Sequence, residues 1–313
     1  MLHLVSMKEW PPQLVEEVLN LADDVKRQPT KYATAMAGQT LLMIFEKPSL
    51  RTRVSFETGV TQMGGHAIYY DMSTSPLGAG KENIADTARV ISRYVNVVSA
   101  RLFKHEVIVE LARHATIPVI NALTDYTHPT QILADLQTIR EKKGRLKGIK
   151  LAYCGDGHNN VTHSLLIGCS KLGLDIRVAC PEGADYMPLN DIVRSAQGFA
   201  KKAGSQVLIT HDAAEAARGA DVVYTDSWMS YHVGHEKLEE RVRAFTPYQV
   251  TAALMAEAAP DAIFMNCLPA LRGFEQTAEV MDGPQSVVFD EAENRLHAHK
   301  AILIRLLEDL KKK

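Results

Sequence analysis

The sequence predicts an α/β protein of two doubly wound parallel-sheet domains, with the active site in the cleft between them. Three observations predict this. Short apolar runs alternate with amphipathic stretches, as strands and helices do in parallel sheets covered on both faces. The chain has 313 residues, more than one core usually organises. A polar break, Lys142-Lys-Gly-Arg-Leu-Lys-Gly148, interrupts the alternation. The domains are therefore drawn as 1–142 and 149–290, with the C-terminal helix, 291–313, returning to the first.

Each element has its own signal. Leu14, Val18, Leu21 and Val25 recur at helical spacing and predict a helix over 11–36. The apolar run 41–45 is a strand. Pro48 stops it, and Ser49 opens a helix with Val54, Phe56 and Val60 as its apolar positions. Strand 66–71 and a turn-rich loop, 73–81, follow. Helix 84–94, started by Asn83 or Asp86, leads to strand 97–102, helix 106–114, strand 117–120 and helix 129–142. After the break come strand 150–154, helix 161–172 and strand 175–179. Helices 189–203 and 212–217 flank a strand at 206–209. Strands at 222–225, 263–266 and 287–289 precede the last helix. No internal repeat or low-complexity tract is visible.

Composition narrows the function. With 46% hydrophobic and 23% charged residues, the chain can build a sizeable core without staples. A net charge of −2 argues against nucleic acid or an anionic membrane as partner. The N-terminus lacks the apolar core of a signal peptide, and no run approaches the ~18–20 residues of a membrane span. A cytoplasmic location is expected. Cys154, Cys169, Cys180 and Cys267 form no C-x-x-C pair and are expected as free thiols, the first three in the core.

Ligands of such sheets bind beyond the carboxyl ends of the strands, and the polar clusters fall there. The richest is Ser49-Leu-Arg-Thr-Arg53. A helix N-terminus offers free N–H groups and a positive dipole end, and arginine grips phosphate with paired hydrogen bonds. The stretch asks for a phosphate, or else Ser49 is an N-cap and the arginines a solvated first turn. Arg101 ends a strand. His128 and Gln131 open a helix, either as a helix start with a capping partner or, with Thr52 and Arg101, as donors that polarise a carbonyl oxygen. In the second domain the clusters are Gly155–Asn160, Asp226–Ser230 and Asn266–Pro269. Gly155-Asp-Gly-His-Asn-Asn160 lacks the G-x-G-x-x-G spacing of a dinucleotide loop. Asn160 and Asp226 suit an amino-acid head group or stabilise turns. Cys267 is a buried thiol or a binding group rather than a nucleophile. His232, His235, His297 and His299 do not make a metal set, and no metal is expected.

Together these residues resemble the aspartate/ornithine carbamoyltransferase family along nearly the whole chain. Ser49–Arg53 resembles its carbamoyl-phosphate motif. Asp86-Thr-Ala-Arg-Val90, His128-Pro-Thr-Gln131, Asn266-Cys-Leu-Pro269 and Glu291-Ala-Glu-Asn-Arg295 are similar to further family blocks. Cys-Leu-Pro favours the ornithine branch. The resemblance implies transfer of a carbamoyl group from carbamoyl phosphate to L-ornithine, giving citrulline and phosphate without a cofactor. It implies that Ser49, Leu50 (through its backbone), Arg51 and Thr52 hold phosphate, and that Arg101, His128 and Thr52 polarise the carbonyl. Gln131 would hold the carbamoyl amide, and Arg295 would add charge. Asn160, Asp226, Ser230 and Tyr231 would meet ornithine, while Cys267 and the Leu268 carbonyl would position the attacking amine. Arg101, His128, Cys267 and Arg295 are the catalytic set so implied. A homotrimer completed by a neighbour's loop is implied, and higher assemblies of trimers stay open. Four departures bear on the acceptor: Leu50 for threonine, Ser230-Tyr231-His232 for Ser-Met-Gly, Asn266 for histidine, and Pro76 in the neighbour-reaching loop, where Lys81 is a candidate to reach the neighbouring phosphate. They keep putrescine, lysine or an N-acylated ornithine open as alternative acceptors.

Overall fold

The computed structural model describes residues 1–75, 80–229 and 233–312. Pro76, Ser230, Tyr231 and His232 lie outside the described residues. The chain divides into two compact units, Met1–Gln137 with Glu293–Lys313, and Thr138–Ala292.

The first unit carries α1 (Pro12–Arg27), β1 (Thr40–Phe45), α2 (Leu50–Gln62), β2 (His66–Asp71), α3 (Ile84–Ile91), β3 (Val97–Arg101), α4 (His105–His114), β4 (Val119–Leu123) and most of α5 (Pro129–Lys143). Its sheet has the order β2-β1-β3-β4, and neighbouring strands are parallel. β3 and β4 are buried along their whole length, which is why they read as unbroken apolar runs. α1 turns Leu14, Val15, Val18, Leu19, Ala22 and Val25 inward. The helix expected over 11–36 stops at Arg27. Pro29 lacks an N–H and disfavours helical backbone at Gln28, and Pro29–Tyr32 forms a short 3₁₀ turn instead. Asn83 caps α3, accepting from the Asp86 N–H at 2.7 Å.

The second unit carries β5 (Lys150–Cys154), α6 (Asn160–Lys171), β6 (Asp175–Ala179), α7 (Asn190–Ala203), β7 (Val207–Thr210), α8 (Ala213–Ala217), β8 (Val222–Tyr224), α9 (Leu238–Phe245), α10 (Ala252–Glu257), β9 (Ile263–Met265) and α11 (Ala278–Met281). α12 (Val288–Lys311) begins here and continues into the first unit. The sheet order is β7-β6-β5-β8-β9, again parallel between neighbours. Cys154, Cys169 and Cys180 are buried free thiols. The strand expected at 287–289 does not form. Val288 and Phe289 belong to the first turn of α12, where Asp290 and Glu291 favour a helix start. Three apolar residues in a row cannot distinguish the two states by periodicity. Among the described residues, no helix is long and apolar enough to cross a membrane.

Both sheets reverse direction once. In the first unit the chain moves from β1 to β2 on one side and then returns to place β3 on the other. In the second it does the same with β5, flanked by β6 and β8. The carboxyl ends beside such a reversal splay apart and leave room for a ligand.

Candidate active site

At the first reversal stand the end of β1, the start of α2 and the end of β3. Ser49 is the N-cap of α2 and accepts from the Thr52 N–H at 3.3 Å. This leaves the N–H groups of the first turn directed outward past the cap. The Leu50 side chain is 74% exposed, so that residue offers the site its backbone only. Thr52 is buried and Arg51 partly buried. Arg53 faces elsewhere. It pairs with Glu57 at 3.0 Å and lies 3.8 Å over the Tyr69 ring. The charge of Arg51, by contrast, is felt at His128.

Arg101, His128, Gln131 and Arg295 are buried. Arg295, on α12, donates to Gln131 Oε1 and, at 3.1 Å, to Thr52 Oγ1. Gln131 donates through Nε2 to Asp135 at 2.7 Å, so its side chain serves this network and is not a capping partner. His128 Nδ1 lies 3.3 Å from Thr130 Oγ1. Burial holds the His128 imidazole well below the ordinary histidine value. The positive charges of Arg295 and Arg101, then His299 and Arg51, push in the same direction. His128 is therefore a neutral hydrogen-bonding group at physiological pH. Lys47, which carried no signal in the sequence beyond its place at a strand end, is buried 4.1 Å over the Phe103 ring. Burial, with Arg101 beside it, lowers its ammonium to about 8.

At the second reversal Asp226 follows β8. It accepts from Asn159 Nδ2 at 2.9 Å and from Cys267 Sγ at 3.2 Å. The second bond needs the proton on sulfur. Asn160, the residue expected to face the head group, is buried at the first position of α6. The residue bonded to Asp226 is its neighbour Asn159, which is also the N-cap of α6; N-cap position was the available clue. Leu268 has φ 60, a left-handed conformation that costs a leucine about 1–2 kcal/mol. The Asn266 side chain holds it there, accepting from the Leu268 N–H at 2.8 Å. Asn266 also donates to Gln276 at 3.1 Å. Behind the loop, Arg241 donates to the Trp228 carbonyl at 2.6 Å and pairs with buried Asp156. Ser230 and Tyr231 lie outside the described residues. Among the described residues, no three His, Cys, Asp or Glu side chains gather as a metal site.

The model for the carbamoyl-P binding domain of aspartate/ornithine carbamoyltransferases matches residues 2–141, and the model for their Asp/Orn binding domain matches residues 147–306. The chain belongs to the aspartate/ornithine carbamoyltransferase family. An ornithine carbamoyltransferase of Methanothermobacter thermautotrophicus is 53% identical over 99% of this chain and 100% of its own length. That of Bacillus subtilis is 50% identical over 97% and 93%. The solved ornithine carbamoyltransferase of Pyrococcus furiosus matches with a TM-score of 0.93 at 46% identity, covering 98% of this chain and 97% of that one. A solved N-acetyl-L-ornithine transcarbamylase has the family fold as well, at 31% identity and a TM-score of 0.88, covering 98% and 100%.

Proposed function

We propose that the chain catalyses the ornithine carbamoyltransferase reaction, moving the carbamoyl group of carbamoyl phosphate to the side-chain amine of L-ornithine and releasing citrulline and phosphate. The observation that carries this reading is the sorting of charge between the two sheet reversals. One gathers Arg51, Arg101 and Arg295 around neutral donors, as an acyl phosphate requires. The other is built on the carboxylate of Asp226, as an α-ammonium group requires. Identity of about half over the whole length to proteins that use ornithine supports the acceptor.

In this reading Ser49, the Leu50 N–H, Arg51 and Thr52 hold the phosphate. Arg101, neutral His128 and Thr52 donate to the carbamoyl oxygen, Gln131 fixes the carbamoyl amide, and Arg295 adds charge. Asp226, Asn160, Ser230 and Tyr231 orient the amino-acid head. The amine lone pair attacks the carbamoyl carbon and forms the C–N bond. Negative charge gathers on the oxygen facing the donors. The bond to the phosphate oxygen then breaks, phosphate leaves with the electron pair, and the amine loses its proton to phosphate or water. Fixed donors aimed at the developing charge supply most of the acceleration. A free alkylamine has a pKa near ~10.4, so the neutral amine must be favoured locally. Desolvation favours it, while Cys267 and the Leu268 carbonyl position the amine, the carbonyl accepting from its N–H. We propose the same division of labour for the two domains, 1–142 with 291–313 for carbamoyl phosphate and 149–290 for ornithine. We also propose a cytoplasmic homotrimer.

The test is citrulline formation from carbamoyl phosphate with ornithine, lysine, putrescine and N-acetylornithine as parallel acceptors. Ornithine should exceed the others in kcat/KM by orders of magnitude. Turnover of another amine in its place overturns the acceptor, and turnover of none overturns the reaction.

A further inference from the structure

His299 is a histidine that the proposed chemistry does not use, yet it sits among the groups that do. It is fully buried on α12, one turn after Arg295. Its ring stacks on Phe56 of α2, with centroids 3.8 Å apart and planes 9° from parallel. Its Nε2 lies 3.4 Å from both Nε and one terminal nitrogen of Arg295. Its Nδ1 lies 3.0 Å from Ser55 Oγ.

The donors available decide the tautomer. A guanidinium has only donors, so Nε2 beside Arg295 must be an acceptor. The Ser55 hydroxyl already donates to the Arg51 carbonyl at 2.5 Å, so its oxygen accepts, and Nδ1 carries the hydrogen. The direction is then the same at each link: Arg295 donates to His299, His299 to Ser55, and Ser55 to the Arg51 carbonyl. The relay ends on the turn of α2 that bears Ser49, Arg51 and Thr52. The remaining Arg295 donors meet Gln131 and Thr52. Burial, and then the guanidinium of Arg295, oppose a second positive charge on the ring.

We propose that His299, as the Nδ1–H tautomer, is a positioning residue. It aims the Arg295 guanidinium at the first turn of α2 and so sets the grip on carbamoyl phosphate. This rests on the proposed reaction for the identity of the ligand but not for the geometry.

Two measurements test it. Long-range ¹H–¹⁵N spectra of the histidine-labelled wild-type protein at pH 7 should show His299 with Nδ1 protonated and Nε2 bare. An Nε2–H tautomer or an imidazolium overturns the relay, whether or not the protein makes citrulline. The second measurement compares His299→Leu with His299→Gln, whose amide can accept from Arg295 and donate to Ser55. His299→Leu should weaken carbamoyl-phosphate binding and raise its KM about tenfold, as loss of a bond to a charged group does, with the ornithine KM unchanged. His299→Gln should recover binding to within about threefold of wild type on the same grounds. Unchanged carbamoyl-phosphate binding in a folded His299→Leu, or equal weakening in both variants, overturns the proposal. If the wild type makes no citrulline the reaction falls, while the spectra and a titration with inorganic phosphate still decide the role of His299.

Discussion

Arg241→Met should unfold the second unit early, and by an amount the structure sets. Asp156 and Arg241 are almost fully buried, with side chains 1% and 6% exposed. Burial already pushes the Asp156 carboxyl up to about 6, against the pull of Arg241. Without the guanidinium the carboxyl takes up a proton at pH 7, which costs about 1.4 kcal/mol relative to wild type. The buried Trp228 carbonyl loses its donor, a further ~1–3 kcal/mol. A total of about 2.4–4.4 kcal/mol overlaps what removing one partner of a buried pair usually costs, about 3–5 kcal/mol. For a unit of this size it corresponds to a fall of about 10 °C in Tm. The sign with pH follows from the protons bound. Between pH 8 and 6 the folded variant holds a proton that wild type releases, so the deficit shrinks by up to about 1.4 kcal/mol per unit toward acid. Below pH 6 both are protonated and the deficit is flat. Urea unfolding at pH 8, 7 and 6 measures it, with Asp156→Asn/Arg241→Met as the double variant that removes both charges. An Arg241→Met protein within 1 kcal/mol of wild type at pH 7, or a deficit indifferent to pH, would refute the reasoning.

Arg51→Ala should cut kcat/KM for carbamoyl phosphate by about 10²–10³-fold, as loss of one preorganised donor does, with circular dichroism unchanged; near-normal kinetics would falsify its phosphate role. Asp226→Asn removes the charge that meets the α-ammonium group and should raise the ornithine KM about 10–100-fold, while a titration with carbamoyl phosphate stays at the wild-type value. The His299 imidazole is held well below its ordinary value by burial and by Arg295. Its folded pKa is depressed, so the stability it contributes is present above the unfolded value of about 6.5 and is lost as pH falls below it. Wild type should therefore lose up to about 1.4 kcal/mol per pH unit more than His299→Gln below pH 6, read from denaturant midpoints; parallel curves would count against a neutral buried ring.

Most sheet strands are readable because they are buried apolar runs punctuated by proline, glycine or an N-cap, although β2 and β7 are only partly buried. The strand-end rule groups Ser49, Arg101, Asp226 and Cys267 beyond the carboxyl ends of strands, and the strand orders then add that each sheet reverses there. Local signals failed where the answer lay in a distant partner. Arg53 has the same side chain as Arg51 but is claimed by Tyr69 and Glu57, which no motif records. Asn159 and Asn160 are identical in type, and their roles depend on which one the start of α6 turns toward Asp226. Arg241 is an ordinary cation on a short charged helix until Asp156, far away in sequence, closes on it. Val288 looked like a strand residue because three apolar residues have no period, and the acidic turn after them decided otherwise.

In the proposed reaction each substrate end meets a separate sheet, at that sheet's own reversal. The grip on phosphate and the choice of amine are then separable inheritances. On that reading, loops after β8 and β9 can drift toward a new acceptor while β1, α2 and β3 stay untouched. A family name that joins aspartate to ornithine fits such a division: one module named for carbamoyl phosphate, and a second named for either acceptor.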